Sequence, residues 1–110
     1  MQVLVSGKQI DIVDSLRTHV DTKAPAAVEK YFQNPIRANV VFSHEAHLIH
    51  ANIWVDVGHD LDFQGEAEAA EAYAAFDLAL EHLVKQLRRH KRKLRNHRRN
   101  IAAKQEVAEI

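Results

Sequence analysis

The sequence has no cysteine and only two prolines and three glycines among its 110 residues. Without cysteine, the chain can form neither a disulfide framework nor a thiolate metal site. No continuous apolar run approaches the ~18–20 residues that a membrane span needs, and the N-terminus, MQVLVSGKQ, lacks the basic-then-apolar layout of a signal peptide. We therefore expect a cytoplasmic protein without a membrane partner. The length and the 46% apolar content indicate one domain with its own core.

Groups that could perform catalysis are also scarce. The sequence has no cysteine nucleophile, no glycine-rich phosphate loop and no serine in a strand-turn-helix elbow. The paired acids Asp60/Asp62 and Glu68/Glu71 are typical of a turn and of a helix start. The sequence therefore predicts a protein that is not an enzyme and that needs no cofactor.

Three histidines, His44, His47 and His50, have a spacing that suggests a metal site. On a strand, His44 and His50 would share one face and His47 would lie on the other, and HEAH is one residue short of the HExxH pattern. We interpret this segment as a solvated hairpin loop without a metal. A metal-dependent hydrolase built on these histidines is the alternative.

Basic residues are concentrated in one stretch, residues 85–99, which reads KQLRRHKRKLRNHRR and contains nine of the fifteen basic residues and no acid. Residues 1–84 carry five Lys/Arg against thirteen Asp/Glu, so a formal net charge of zero conceals a bipolar molecule. A solvated helix face normally carries both signs interspersed. The stretch therefore predicts binding to nucleic acid. Its cations are Lys85, Arg88, Arg89, Lys91, Arg92, Lys93, Arg95, Arg98 and Arg99.

Hydrophobic periodicity predicts the element order βαβββα. Strands are expected at residues 2–6, 36–43, 48–57 and around 61–65, with helices from 14 to about 32 and from about 67 to about 96. Pro25 should kink or briefly break the first helix, because it removes a hydrogen bond. The fold class is α+β, a two-layer sandwich in which two helices cover one face of a four-stranded sheet. We expect a domain at residues 1–97 and a flexible tail or linker start at 98–110.

Two features of this fold bear on function. The second helix should have a core-facing stripe that continues into the basic stretch; it consists of Tyr73, Phe76, Leu80, Leu83, Leu87 and Leu94. The stripe would hold the cations on a rigid element. Trp54 should lie on the polar face of the sheet, where it is either a structural aromatic or a stacking platform for a base. We favour the structural role, because no second aromatic lies beside it in the pattern.

Several segments are similar to those of a known family. VSGKQIDI, SLRTHV and EKYF come first, and AYAAFDLALEHLVKQLRRHKRKLRNH at 72–97 is the most specific segment. Over residues 1–97 the chain resembles the ribosome hibernation promoting factor family, also called ribosome-associated inhibitors or YfiA-like proteins. The resemblance implies the same βαβββα order, in a fold related in shape to double-stranded-RNA-binding domains.

The resemblance also implies a function. Such proteins bind the small ribosomal subunit in the channel used by messenger RNA and by transfer RNA, which blocks initiation and preserves idle ribosomes, often as inactive dimers. The matching RNA-contacting residues would be Lys85, Arg88, Arg89, Lys91, Arg92, Lys93 and Arg95, and Lys23 and Lys30 match in kind on the first helix. Tyr73, Phe76 and Asp77 match a family motif that we interpret as packing plus a helix-stabilising acid. The isolated domain should be a monomer, and a general double-stranded-RNA module is the alternative.

Overall fold

The computed structural model describes the backbone of residues 1–109 and the side chains of residues 1–94. The elements are β1 (Gln2–Lys8), α1 (Asp14–Glu29), β2 (Arg37–Glu45), β3 (Leu48–Gly58), β4 (Leu61–Ala69) and α2 (Ala72–Glu109). This order confirms the predicted βαβββα fold. In the part of the chain that the structure describes, no helix is both long and apolar enough to cross a membrane.

The four strands form one mixed sheet in the order β1-β2-β3-β4. β1 and β2 are parallel, and the other two pairs are antiparallel. A parallel pair needs a crossover connection, which α1 supplies, whereas short turns are enough for the antiparallel pairs. The β2–β3 turn consists of two residues, because Glu45 lies opposite Leu48.

The core lies between one face of the sheet and both helices. Alternate residues of β2 and β3 face the helices, since successive side chains in a strand point to opposite faces. The fully buried large side chains are Phe42, Phe76, Ile53, Leu83, Leu87, Val20, Val28, Val40 and Val55. Within residues 1–94 no polar side chain is buried, so the core is entirely apolar. The two-layer arrangement is therefore confirmed.

The two helices run side by side in the same direction. Near their N-terminal ends the hydroxyl groups of Ser15 and Tyr73 are hydrogen-bonded, and one turn later His19 Nε2 lies 2.8 Å from Asp77 Oδ1. Parallel alignment brings the C-terminal end of α1 beside the basic part of α2. This alignment determines which cations become neighbours.

The boundary between β4 and α2 differs from the prediction. Residues 67–69 continue β4 and pair with β3, where Glu68 lies opposite His50, and α2 begins only at Ala72. Alanine and glutamate have high helix propensity, which favoured an earlier helix start. The pairing with β3 overrides that local preference, so Glu68 is a strand residue.

Helix α1 ends earlier than predicted, at Glu29, and it is not broken at Pro25. Ala24 and Val28, on either side of this proline, are both fully buried. Because these neighbours fix the backbone against the core, the helix tolerates the loss of the one hydrogen bond that proline cannot make. The prediction of a short break at Pro25 is wrong, and the alternative of a kink there stays a prediction.

The apolar stripe of α2 ends earlier than expected. Leu83 and Leu87 are fully buried, but Leu94 is 40% exposed. The helix therefore leaves the core before Leu94, and its backbone continues past residue 97 as far as Glu109. The sequence predicts a domain at 1–97 and a flexible tail at 98–110. The packing of residues 95–110 lies outside the described residues, so this division stays a prediction.

Candidate nucleic-acid interface

The cations of α2 lie on the side of the helix that faces away from the core. Leu83 and Leu87 are buried against the sheet, and this fixes the rotation of the helix about its axis. All the basic residues from 85 to 93 are then exposed. We call this surface the basic face; it consists of Lys85, Arg88, Arg89, Lys91, Arg92 and Lys93.

No acid neutralises the basic face within the described side chains. Among residues 1–94 the close contacts between a basic side chain and a carboxylate are those of His19 with Asp77 and of His50 with Glu66, and neither contains a lysine or an arginine. Glu81, one turn before Lys85, makes no ion pair in this set. Six cations on about two and a half turns of one helix therefore produce a concentrated positive potential, which attracts polyanions.

The end of α1 extends the basic face. Lys30 is the C-terminal capping residue of α1, and it lies beside α2 because the two helices are parallel. An open cleft of about 450 Å³ separates the two elements. We call it the cationic cleft; it is lined by Lys30, Tyr31, Arg88, Lys91 and Arg92. The structure thus brings one of the two predicted α1 lysines to the α2 cations, whereas Lys23 is exposed on α1 outside the cleft lining.

Three aromatic rings attach this part of α2 to the body of the protein. The His90 ring lies nearly parallel to Phe32, with centroids 6.2 Å apart, and edge-on to Phe63 at 5.3 Å. Lys91 Nζ lies 4.8 Å from the centre of the Phe32 ring, a cation–π contact. These contacts hold the cations of the cleft on a fixed backbone.

Sequence reasoning missed His90, Phe32 and Tyr31 as parts of this site. The signal for His90 was present, because position 90 follows Leu83 and Leu87 at helical spacing. Tyr31 and Phe32 follow α1 and could be placed beside α2 only with knowledge that the helices are parallel. The side chains of Arg95, Arg98 and Arg99 lie outside the described residues, so their role stays a prediction.

The opposite face of the sheet is not covered by a helix, and it carries acids. Trp54 lies on this face, as predicted, and its indole Nε1 donates a hydrogen bond of 2.9 Å to Asp62 Oδ2. Asp56 lies directly opposite Asp62 on the neighbouring strand, and Leu4 is half exposed in the same row as Trp54. Because these acids repel phosphate, the structural role of Trp54 is favoured over base stacking.

The three histidines of the β2–β3 hairpin do not form a metal site. His44 lies opposite Ile49, on the helix side of the sheet, whereas His50 lies opposite Ser43 on the uncovered side. On a single strand His44 and His50 would share a face, but the two-residue turn of the hairpin places them on different strands and on different faces. His47 occupies that turn, and within the described residues no group of three His, Asp or Glu side chains could hold a metal ion.

Comparison with known proteins identifies the family. The family model described as Sigma 54 modulation protein / S30EA ribosomal protein matches residues 3–95. The chain belongs to this family. The resemblance found in the sequence is confirmed, and the family consists of ribosome hibernation factors rather than enzymes.

Individual members of the S30EA family show how far the similarity extends. The chain is 35% identical over 99 residues to the ribosome hibernation promoting factor of Salmonella typhimurium, with 88% of this chain and 100% of that protein covered. It is also 35% identical over 97 residues to the ribosome hibernation promotion factor of Rhizobium meliloti, of which it spans only about half, 51%. The N-terminal domain of Thermus thermophilus Protein Y has the same fold, with a TM-score of 0.72 and 31% identity, over 82% of this chain and 99% of that domain.

Proposed function

We propose that this chain is a ribosome hibernation factor that binds the small ribosomal subunit through the basic face and the cationic cleft. In this proposal it occupies the channel for messenger RNA and transfer RNA, and it silences and preserves idle ribosomes in the cytoplasm. The single observation that supports it most is the basic face itself, whose described cations have no acidic partner. The names of the Salmonella and Rhizobium relatives point to the same role.

The mechanism is steric occlusion and needs no chemistry on the part of the protein. Phosphates of ribosomal RNA replace the counterions of the basic face, which yields an affinity that falls steeply with salt. Arginine adds bidentate geometry toward phosphate. The acids of the uncovered sheet face, among them Asp56 and Asp62, are repelled by the same RNA, so the protein is oriented as well as attracted.

A competition experiment tests the occlusion step. Small subunits saturated with the protein should fail to bind messenger RNA and transfer RNA, and subunits loaded with both first should exclude the protein. Sucrose gradients of the same mixtures with whole ribosomes would reveal whether ribosome dimers form. Simultaneous, unperturbed binding of the protein and both RNAs to one subunit would contradict occlusion.

A general double-stranded-RNA module is the second candidate, favoured by the basic helix on an α+β sandwich. Such a module would bind a free RNA duplex as tightly as it binds the subunit. Unlabelled duplex RNA in large excess should therefore displace the protein from small subunits if this alternative is correct. We expect the duplex to compete poorly.

A further inference from the structure

Among the described residues, Tyr31 is the only aromatic one that lines the cationic cleft, where it lies beside four cations: Lys30 at the end of α1, and Arg88, Lys91 and Arg92 on α2. Its ring packs in part against the hydrophobic core, which holds it in place, and it is partly exposed. None of the described side chains forms a hydrogen bond with its hydroxyl group. Packing and exposure together leave a fixed aromatic surface beside groups that bind phosphate.

The other large aromatics of the described residues are unavailable for a base. Phe42 and Phe76 are fully buried. Phe32 is in contact with the His90 ring and with Lys91 Nζ, and Phe63 is in contact with the rings of Phe32 and His90. Tyr73 is hydrogen-bonded to Ser15 at the far end of the helix pair, close to the acid Asp77.

Trp54, the other candidate for a stacking platform in the sequence, is unsuitable for binding a base for a different reason. Its indole N–H is bonded to a carboxylate on the uncovered acidic face, away from both helices. A nucleotide whose base stacked on Trp54 would bring its phosphate close to the carboxylates of this face. Tyr31, like Trp54, offers a flat aromatic ring, but its neighbours in the cleft are cations rather than acids.

We propose that Tyr31 is a stacking platform for one unpaired RNA base, with the flanking phosphates bound by Lys30, Arg88 and Arg92. This inference rests on the proposed function and specifies the form of RNA that the cleft accepts. A base within a duplex has both faces covered by its neighbours, whereas a base in a loop or bulge can stack on an aromatic side chain. The cleft volume of about 450 Å³ is within the ~300–1,000 Å³ range of small-molecule sites.

The test measures the affinity for purified small subunits at several salt concentrations. Tyr31→Leu should weaken binding about tenfold, the effect of losing one base–aromatic stack, whereas Tyr31→Phe should stay close to the wild type. Neither variant removes a charge, so the slope of log affinity against log salt should not change. The matched control Lys30→Gln should lower both the affinity and this slope.

Tyr31→Trp separates stacking from packing. Tyr31→Leu could lose affinity because it lowers the stability of the fold, which urea unfolding measures. In that case Tyr31→Trp decides between the two causes, because stacking predicts that this variant binds small subunits at least as tightly as the wild type. A loss in Tyr31→Trp as large as in Tyr31→Leu, or no loss in Tyr31→Leu, overturns the inference. Absence of binding by the wild-type protein would instead overturn the proposed function.

Discussion

At the residue scale, Gly65 is a position where α2 lies directly against the backbone of the sheet. A Cβ atom at this position would lie 2.4 Å from the carbonyl oxygen of Ala79 and 2.7 Å from the backbone nitrogen of Leu83. Both are helix backbone atoms, which cannot move without displacing α2. One turn away, His82 Nδ1 donates to the backbone oxygen of Glu66 at 2.8 Å, so β4 and α2 contact each other directly.

Gly65→Ala should therefore destabilise the fold by about 3 kcal/mol, at the upper end of the usual cost of overpacking. Urea unfolding followed by circular dichroism measures this. Gly58→Ala is the control: its new Cβ would be 3.8 Å from Ile36 Cδ1, and only the positive φ of 88° opposes it, a cost of about 1 kcal/mol. Equal losses in the two variants would contradict the close approach.

Asp77 has one role that the sequence predicts and one contact that it does not. Its position in the first turns of α2 predicts a helix-stabilising acid, because acids favour the N-terminal end of the helix dipole. In the structure its carboxylate is also 2.8 Å from His19 of α1. The two residues are 58 positions apart in the sequence, so only the packing of the helices brings them together.

At the element scale, α2 changes from a core helix to an exposed one within a few turns. Leu87 is fully buried, whereas Leu94 is 40% exposed although it continues the same spacing. Between these positions the His90 ring packs against Phe32 and Phe63, and Lys91 Nζ lies over the Phe32 ring. Periodicity predicts which side of a helix is apolar, but not where the surface that it packs on ends.

Leu87→Ala and Leu94→Ala test this change as a matched pair. Leu87→Ala should cost about 2–5 kcal/mol, because it leaves a cavity in the core. Leu94→Ala should stay within about 0.5 kcal/mol, as expected for a surface position. Unfolding in urea measures both, and a comparable loss in Leu94→Ala would mean that the core extends along α2 further than described.

The elements themselves were largely predictable from the sequence. The β2–β3 hairpin was found because Ala51, Ile53, Val55 and Val57 alternate with polar residues, and all four are buried. The segment 67–69 was misassigned to α2, since its two alanines and one glutamate favour a helix locally and only the partner strand makes them extended. Long-range pairing of this kind is not encoded in local propensity.

At the scale of the whole molecule, the fold converts a bipolar sequence into two oppositely charged surfaces. The sheet separates the acidic uncovered face from the helices, and the parallel helices add Lys30 to the cations of α2. The cluster on α2 was predictable from composition alone. The cationic cleft was not, because it depends on the direction in which α1 and α2 run relative to each other.

The central claim is that the basic face binds the small ribosomal subunit, and charge reversal tests it most directly. Two triple variants are compared. The first reverses three charges of the basic face: Lys85→Glu, Arg88→Glu and Arg92→Glu. The control changes the net charge by the same amount at exposed positions away from the basic face: Lys8→Glu, Arg17→Glu and Arg37→Glu. The measurement is equilibrium co-sedimentation with small subunits at several salt concentrations, after circular dichroism has confirmed the fold of both proteins. We predict that the first variant loses affinity on the order of 100-fold and has a shallower salt dependence, while the control binds nearly as the wild type. Equal losses in the two variants, or undiminished binding by the first, would contradict the account.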